Sequence, residues 1–168
     1  MAAKKFVGIL FGVLVISAWV LGSAGQAGAE TMNFKFYTWS IKGDWTPVAD
    51  VEGHAVGYGV RGSFVVLENG EVAYSEAVIL RDWKKTEGTI SQYGTIKFQD
   101  GSTIITKSQG TTGVGTSGLT TEIIKGTGRF EGIKGTGTSK AKYFPQEKGE
   151  AAPKGWGETT LTYTLPSK

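Results

Sequence analysis

Beyond Glu30 the chain alternates short runs of β-branched and aromatic residues with clusters of glycine, asparagine, aspartate and lysine. No apolar stripe of helical period is long enough there to build a helix. The runs Met32–Ile41, His54–Leu67, Val72–Trp83, Thr89–Phe98, Thr103–Lys107, Thr136–Phe144 and Gly155–Leu165, with shorter ones around residues 111–124, predict seven or eight strands. Asn69-Gly70 and Asp100-Gly101 each sit between two such runs, the strongest local signal for a hairpin. The polar, proline-broken stretch Pro145–Gly155 predicts an exposed loop. Asp44–Gly53 predicts a second, with Trp45 free to fold back onto the body. Leu161, Tyr163 and Leu165 share one strand face and are placed to help seal a barrel.

A two-residue type I′ turn at Asn69-Gly70 would pair Leu67 with Val72, Ser63 with Glu76 and Tyr58 with Arg81. One face of the hairpin then carries Val56, Tyr58, Val60, Phe64, Val66, Ile79, Arg81 and Trp83. The other carries Arg61, Ser63, Val65, Leu67, Tyr74, Glu76, Val78 and Leu80. Both faces mix apolar and charged side chains, whereas a simple two-layer sheet gives a clean apolar and polar alternation. The mixture suits a barrel with a partly polar lumen, or one whose outer wall meets a partner. The pattern does not say which face turns inward.

The first residues read as a leader. Lys4 and Lys5 precede the apolar run Phe6–Ala24, and Ala27-Gly28-Ala29 fits a small-x-small cleavage site, which predicts a signal peptide over residues 1–29 and a barrel domain over residues 30–168. The alternative is a retained anchor, since the run approaches the roughly 20 residues needed to span a bilayer. Cleavage predicts an exported protein, periplasmic or secreted, with no membrane span. It also removes both leader lysines from a net charge of only +3, leaving no basic surplus of the kind nucleic-acid binding needs. With no cysteine, stability must come from packing and strand pairing rather than disulfides.

Candidate chemistry concentrates on the Val56–Trp83 hairpin. In the register above, Arg61 and Glu76 form a diagonal cross-strand pair that could orient a ligand. Tyr58 facing Arg81, with Trp83 on the same side, forms a competing site through cation–π contact. Tyr58, Arg61, Tyr74, Glu76, Arg81 and Trp83 are therefore the candidate ligand-binding residues; the catalytic residues are left unassigned. His54, the only histidine, lacks the companions a metal site requires, so no metal and no cofactor is expected, and a strand-end hydrogen bond accounts for it best.

The densest punctuation lies at Gly126-Thr127-Gly128-Arg129-Phe130-Glu131-Gly132-Ile133-Lys134-Gly135-Thr136-Gly137-Thr138. Its spacing is neither a dinucleotide fingerprint, since Glu131 stands where a glycine is required, nor a phosphate-binding loop. A tight corner pinned to the core by Phe130 is expected instead. The nearby cations Lys125, Arg129, Lys134, Lys140 and Lys142 read as a solvated strand face, with an anion patch as the alternative.

Thr127-Gly128-Arg129-Phe130 followed by Gly132-Ile133-Lys134-Gly135 resembles the strand-entry motif of the allene oxide cyclase and dirigent families, within a similar stretch at Leu119–Phe144. The upstream Tyr93-Gly94-Thr95-Ile96 sits at a compatible distance. The resemblance implies an exported bacterial member of that calycin-like superfamily: all-β, a single eight-stranded antiparallel barrel with a hydrophobic cavity, and a homo-oligomer, since those families form dimers or trimers. The cyclases rearrange a fatty-acid epoxide and dirigent proteins steer phenolic radical coupling, but neither set of catalytic residues maps onto this chain. Three functions follow as expectations: a barrel binding a small hydrophobic or amphipathic molecule without catalysis; a cyclase-like or dirigent-like enzyme using Glu76, Arg61 or a tyrosine; or an envelope protein binding a partner through its outer wall.

Overall fold

Eight antiparallel strands close into a barrel in which each strand pairs with its sequence neighbours and the last returns to the first. The computed structural model describes residues 28–150 and 152–167. The expected leader lies almost wholly outside them. The strands are β1 (Glu30–Pro47), β2 (His54–Leu67), β3 (Val72–Lys84), β4 (Glu87–Phe98), β5 (Thr103–Gly113), β6 (Thr116–Thr127), β7 (Lys134–Tyr143) and β8 (Gly155–Thr164). β1 is longer than its apolar run. It bulges between Ser40 and Lys42 and stays paired with β2 out to Pro47 opposite Ala55, so Asp44–Pro47 of the loop expected at Asp44–Gly53 is strand. Closure leaves no free sheet edge, which a protein without disulfides otherwise has to protect.

The hairpin register differs from the expected one by a single residue. Gly70 adopts φ +85°, whereas Asn69 keeps a negative φ. The Asn69 side chain accepts a hydrogen bond from the Glu71 N–H, at 3.0 Å, and Leu67 N–H bonds the Glu71 carbonyl. An asparagine that can cap the backbone two residues on has no need of the left-handed region, so the turn spans Glu68–Gly70 and not two residues. Val72 therefore pairs with Val66 instead of Leu67, and Glu76 faces Gly62 instead of Ser63. Gln99-Asp100-Gly101 repeats the device, with Asp100 accepting from the Ser102 N–H at 2.9 Å. Because side chains alternate with period two, the slip turns the whole of β3 over relative to β2. Arg61, Ser63, Val65, Ser75, Ala77 and Ile79 line the lumen. Tyr58, Phe64, Val78 and Leu80 stand exposed on the outer wall. The mixed faces thus resolve into a partly polar lumen and a partly apolar exterior.

The core fills one end of the barrel. Met32, Phe34, Val65, Leu67, Ile96, Phe98, Ile104, Ile123, Phe130, Ile133, Leu161 and Tyr163 pack there beneath the two hairpins, with Leu165 against them. Phe130 lies on a single 3-10 turn, Gly128–Phe130, flanked by left-handed Gly128 and Gly132. This is the aromatic corner expected from the glycine-rich stretch.

Tyr163 makes this end sensitive to alkali. Its hydroxyl donates to Glu30 at 2.8 Å. Burial, then the hydrogen bond and charge of Glu30, push its pKa up to about 12. The folded value lies above the ordinary value near 10, so the stabilisation is complete below about pH 10 and disappears as pH rises toward 12. Denaturant titrations should show wild type losing stability across that window faster than Tyr163→Phe. Parallel pH dependence of the two would refute the assignment.

Candidate functional site

The opposite end of the barrel is open and carries a cleft of about 710 Å³. That volume falls in the range of small-ligand sites. The end of β1 brings Trp45, β2 brings Ala55 and Arg61, β3 brings Arg81 and Trp83, β4 brings Ile90, and β7 brings Tyr143. Phe144 and Pro153 complete the rim from the segment that follows. Beneath it lies an inner cavity of about 100 Å³, lined in part by Ser63, Ser75, Gln92, Ser108 and Thr121. Arg61 and Tyr143 line both spaces and form the neck between them.

The local sequence of β2 builds this mouth. Its inward positions run Gly57, Gly59, Arg61 (small, small, then a long cation). A Cβ at Gly57 would fall 2.7 Å from both the Trp45 ring and the Asp44 carbonyl, so the missing side chain is the seat of the Trp45 indole. At Gly59 it would stand 3.3 Å from an Arg81 guanidinium nitrogen. Arg81 lies with its guanidinium carbon 5.7 Å from the Trp45 ring centroid, within cation–π range.

Arg61 is 5% exposed. Its Nε donates to Thr38 Oγ1 at 3.1 Å and one Nη donates to the Pro153 carbonyl at 2.6 Å. Its guanidinium carbon sits 5.3 Å from the Tyr143 ring centroid, and the Tyr143 hydroxyl pairs with Ser117 at 3.0 Å. Burial holds both arginines below the ordinary guanidinium pKa. Tyr143 opposes this at each, and Arg81 adds to it at Arg61. Both stay cationic near neutrality. Neither forms an ion pair among the described residues. Glu150, the acid that acts on Arg61, is engaged by Lys154 at 2.7 Å, and that hydrogen bond holds its carboxyl below the usual range.

The segment after β7 is a loop between the last two strands with residues 145–149 exposed, as expected, but residues 152–154 pack back onto the barrel. Ala152 is buried, the Phe144 N–H bonds the Lys154 carbonyl, and Pro153 is clamped by Arg61. An arginine deprived of water takes any carbonyl it can reach, and here that carbonyl belongs to a loop folded over the mouth.

Of the candidate residues, Arg61, Arg81 and Trp83 come together in this cleft. The slipped register carries Tyr58, Tyr74 and Glu76 to the outer wall, where Tyr74 lies 6.3 Å from the Trp39 ring. Arg61 and Glu76 are thus on opposite faces, and Arg81 stacks on Trp45 instead of Tyr58. The sequence reasoning missed Tyr143 and Thr38; the alternation Gly57-x-Gly59-x-Arg61 was the available signal for the cleft. His54 bonds Asp82 at 2.7 Å on the rim, and no cluster suited to a metal occurs among the described residues. Arg129 pairs with Glu71 and Asp100, while Lys125, Lys134, Lys140 and Lys142 are exposed, as a solvated face requires.

Among solved structures, the chain is similar to the pterocarpan synthase dirigent protein GePTS1, with a TM-score of 0.50 and 12% identity over 83% of this chain and 92% of that one. The fold is that of a dirigent-like barrel. A second pterocarpan synthase dirigent protein, PsPTS1, aligns with a TM-score of 0.47 and 14% identity over 84% of this chain and 97% of that one. At these identities the likeness is one of fold. No family model matches the chain, and no curated protein matches it either. The cleft of this dirigent-like barrel is accordingly interpreted from its own residues.

Proposed function

We propose that the protein is an exported barrel that binds a small amphipathic molecule in the mouth cleft without transforming it. The observation that carries this reading is the cleft itself: about 710 Å³, walled by Trp45, Trp83, Ile90 and Phe144, with Arg61 and Arg81 among the few polar groups placed to fix an orientation. The leader pattern supports export. Binding is favoured over catalysis because, among the described residues, no Asp, Glu or His side chain lines the cleft or the inner cavity. General acid–base chemistry usually recruits such groups. The enzyme reading that used Glu76, Arg61 or a tyrosine keeps Arg61 and gains Tyr143 in the neck but loses Glu76 to the outer wall.

A second reading draws support from the exterior, where Tyr58, Phe64, Val66, Val78, Leu80 and Tyr93 are exposed. Apolar surface of this kind marks interfaces, and a second copy of the chain is the partner we favour. One experiment separates the two. Native mass spectrometry of protein from the exported fraction should show a retained small molecule, and cinnamyl alcohol should quench tryptophan emission saturably, less so in Trp83→Phe. Oligomers with no adduct and no saturable quenching would replace the ligand reading with the interface reading.

A further inference from the structure

Arg81 is the least explained group in the molecule. Its guanidinium is desolvated enough that burial lowers its pKa, yet among the described residues none of its N–H donors has a hydrogen-bond partner. Among the described residues no side-chain nitrogen or oxygen is sealed away from solvent without a partner, so those donors open onto the cleft they line. Arg61, a few strand positions away on the same wall, spends two donors on Thr38 and Pro153 and keeps the rest. Asp82, next to Arg81 in sequence, turns to the other side of the strand and bonds His54. Two cations thus share one mouth, and among the described residues no carboxylate pairs with either. A ligand that displaces water from this mouth would strip these donors of their partners, a cost that an anion arriving with the ligand offsets.

Resting on the reading of the cleft as a ligand site, we propose that its ligand is a carboxylate-headed amphiphile with a planar apolar body. Arg81 takes the carboxylate and the body lies against the Trp45 and Trp83 rings. The guanidinium fork matches a carboxylate with two parallel hydrogen bonds, which ammonium cannot do. Trp45, Trp83, Tyr143 and Phe144 all line the cleft, so much of its wall is flat aromatic surface. That shape favours a rigid ring over a flexible alkyl chain, which would lose rotamer freedom on entry.

The test compares cinnamate, cinnamyl alcohol and octanoate by isothermal titration on wild type, Arg81→Gln and Arg81→Lys. Cinnamate should bind wild type at least tenfold tighter than the alcohol and tighter than octanoate. Arg81→Gln should erase the preference for cinnamate over the alcohol, and Arg81→Lys should recover only part of it. If Arg81→Gln does not fold, salt dependence decides: added sodium chloride should weaken cinnamate and spare the alcohol. Alcohol binding as tightly as cinnamate overturns the anion site but leaves the ligand cleft standing. Octanoate equal to cinnamate overturns the planar body. Failure of all three to bind overturns both the inference and the reading beneath it.

Discussion

Phe130→Ala should lower the unfolding free energy by about 3–5 kcal/mol, the range for emptying a buried aromatic site. That is a large part of the roughly 5–15 kcal/mol that holds a domain of this size together. The ring is 5% exposed and packs 4.8 Å from Phe98, centroid to centroid, at the closed end of the barrel. Arg129 lies over both rings, 4.7 Å and 4.8 Å from their centroids, and is itself fixed by Glu71 and Asp100. Loss of the ring therefore leaves a cavity and frees the cation that ties the corner to both hairpins. The surroundings cannot collapse easily: the Phe130 carbonyl is held by the Ile133 N–H at 3.0 Å, and the Arg129 N–H by Ser102 at 3.1 Å. Urea unfolding should show the midpoint falling with an unchanged slope. Phe130→Leu should recover more than half of the loss, and Leu80→Ala on the outer wall should stay within about 0.5 kcal/mol. A Phe130→Ala loss no larger than that of Leu80→Ala would mean the corner is not anchored by this ring.

The corner was legible because it is local: glycines able to take positive φ around one aromatic leave few alternatives to a pinned turn. The eight strands were legible for the same reason, since β-branched runs and Asn-Gly or Asp-Gly breaks act over a few residues. The site was less so. It depended on the hairpin register, which turned on whether Asn69 used the left-handed region or its own side chain, two outcomes of similar energy that the dipeptide alone does not separate. One residue of slip moved Glu76 from beside Arg61 to the outer wall and put Arg61 and Arg81 into one mouth. Tyr143 meets Arg61 only because the barrel closes, and Thr38 reaches it across the β1–β2 pairing from 23 residues away, so no local pattern announces either. The loop over the mouth was hidden for a related reason. Its composition is that of an exposed segment, and what folds it down is a single carbonyl within reach of a buried arginine.

That carbonyl makes the strongest case for an effect on motion. Arg61→Met should release segment 145–154 while leaving the barrel intact. Methionine fills much of the arginine stem's volume, and taking the charge away also removes its desolvation cost, so the global loss should be small. What disappears is the charge-assisted hydrogen bond to Pro153, together with the bond to Thr38. A hydrogen bond to a charged group is worth about 1.5–3 kcal/mol, which converts to a roughly ten- to hundredfold rise in opening of the segment it holds. Hydrogen exchange should report that rise at residues 144 and 150, whose N–H groups bond Lys154 and Glu147 within the segment. Protection in β3 and β4 should be unchanged. Lys154 meets an exposed Glu147 and a half-buried Glu150, surface pairs of the kind worth little, so these internal contacts should not keep the segment down alone. Arg61→Lys separates charge from geometry: an ammonium can reach one acceptor but cannot span Thr38 and Pro153 as the guanidinium does, so it should give an intermediate rate. Exchange in Arg61→Met equal to wild type would show that the segment is held by its own turns, and that Arg61 is present for the ligand instead of the loop.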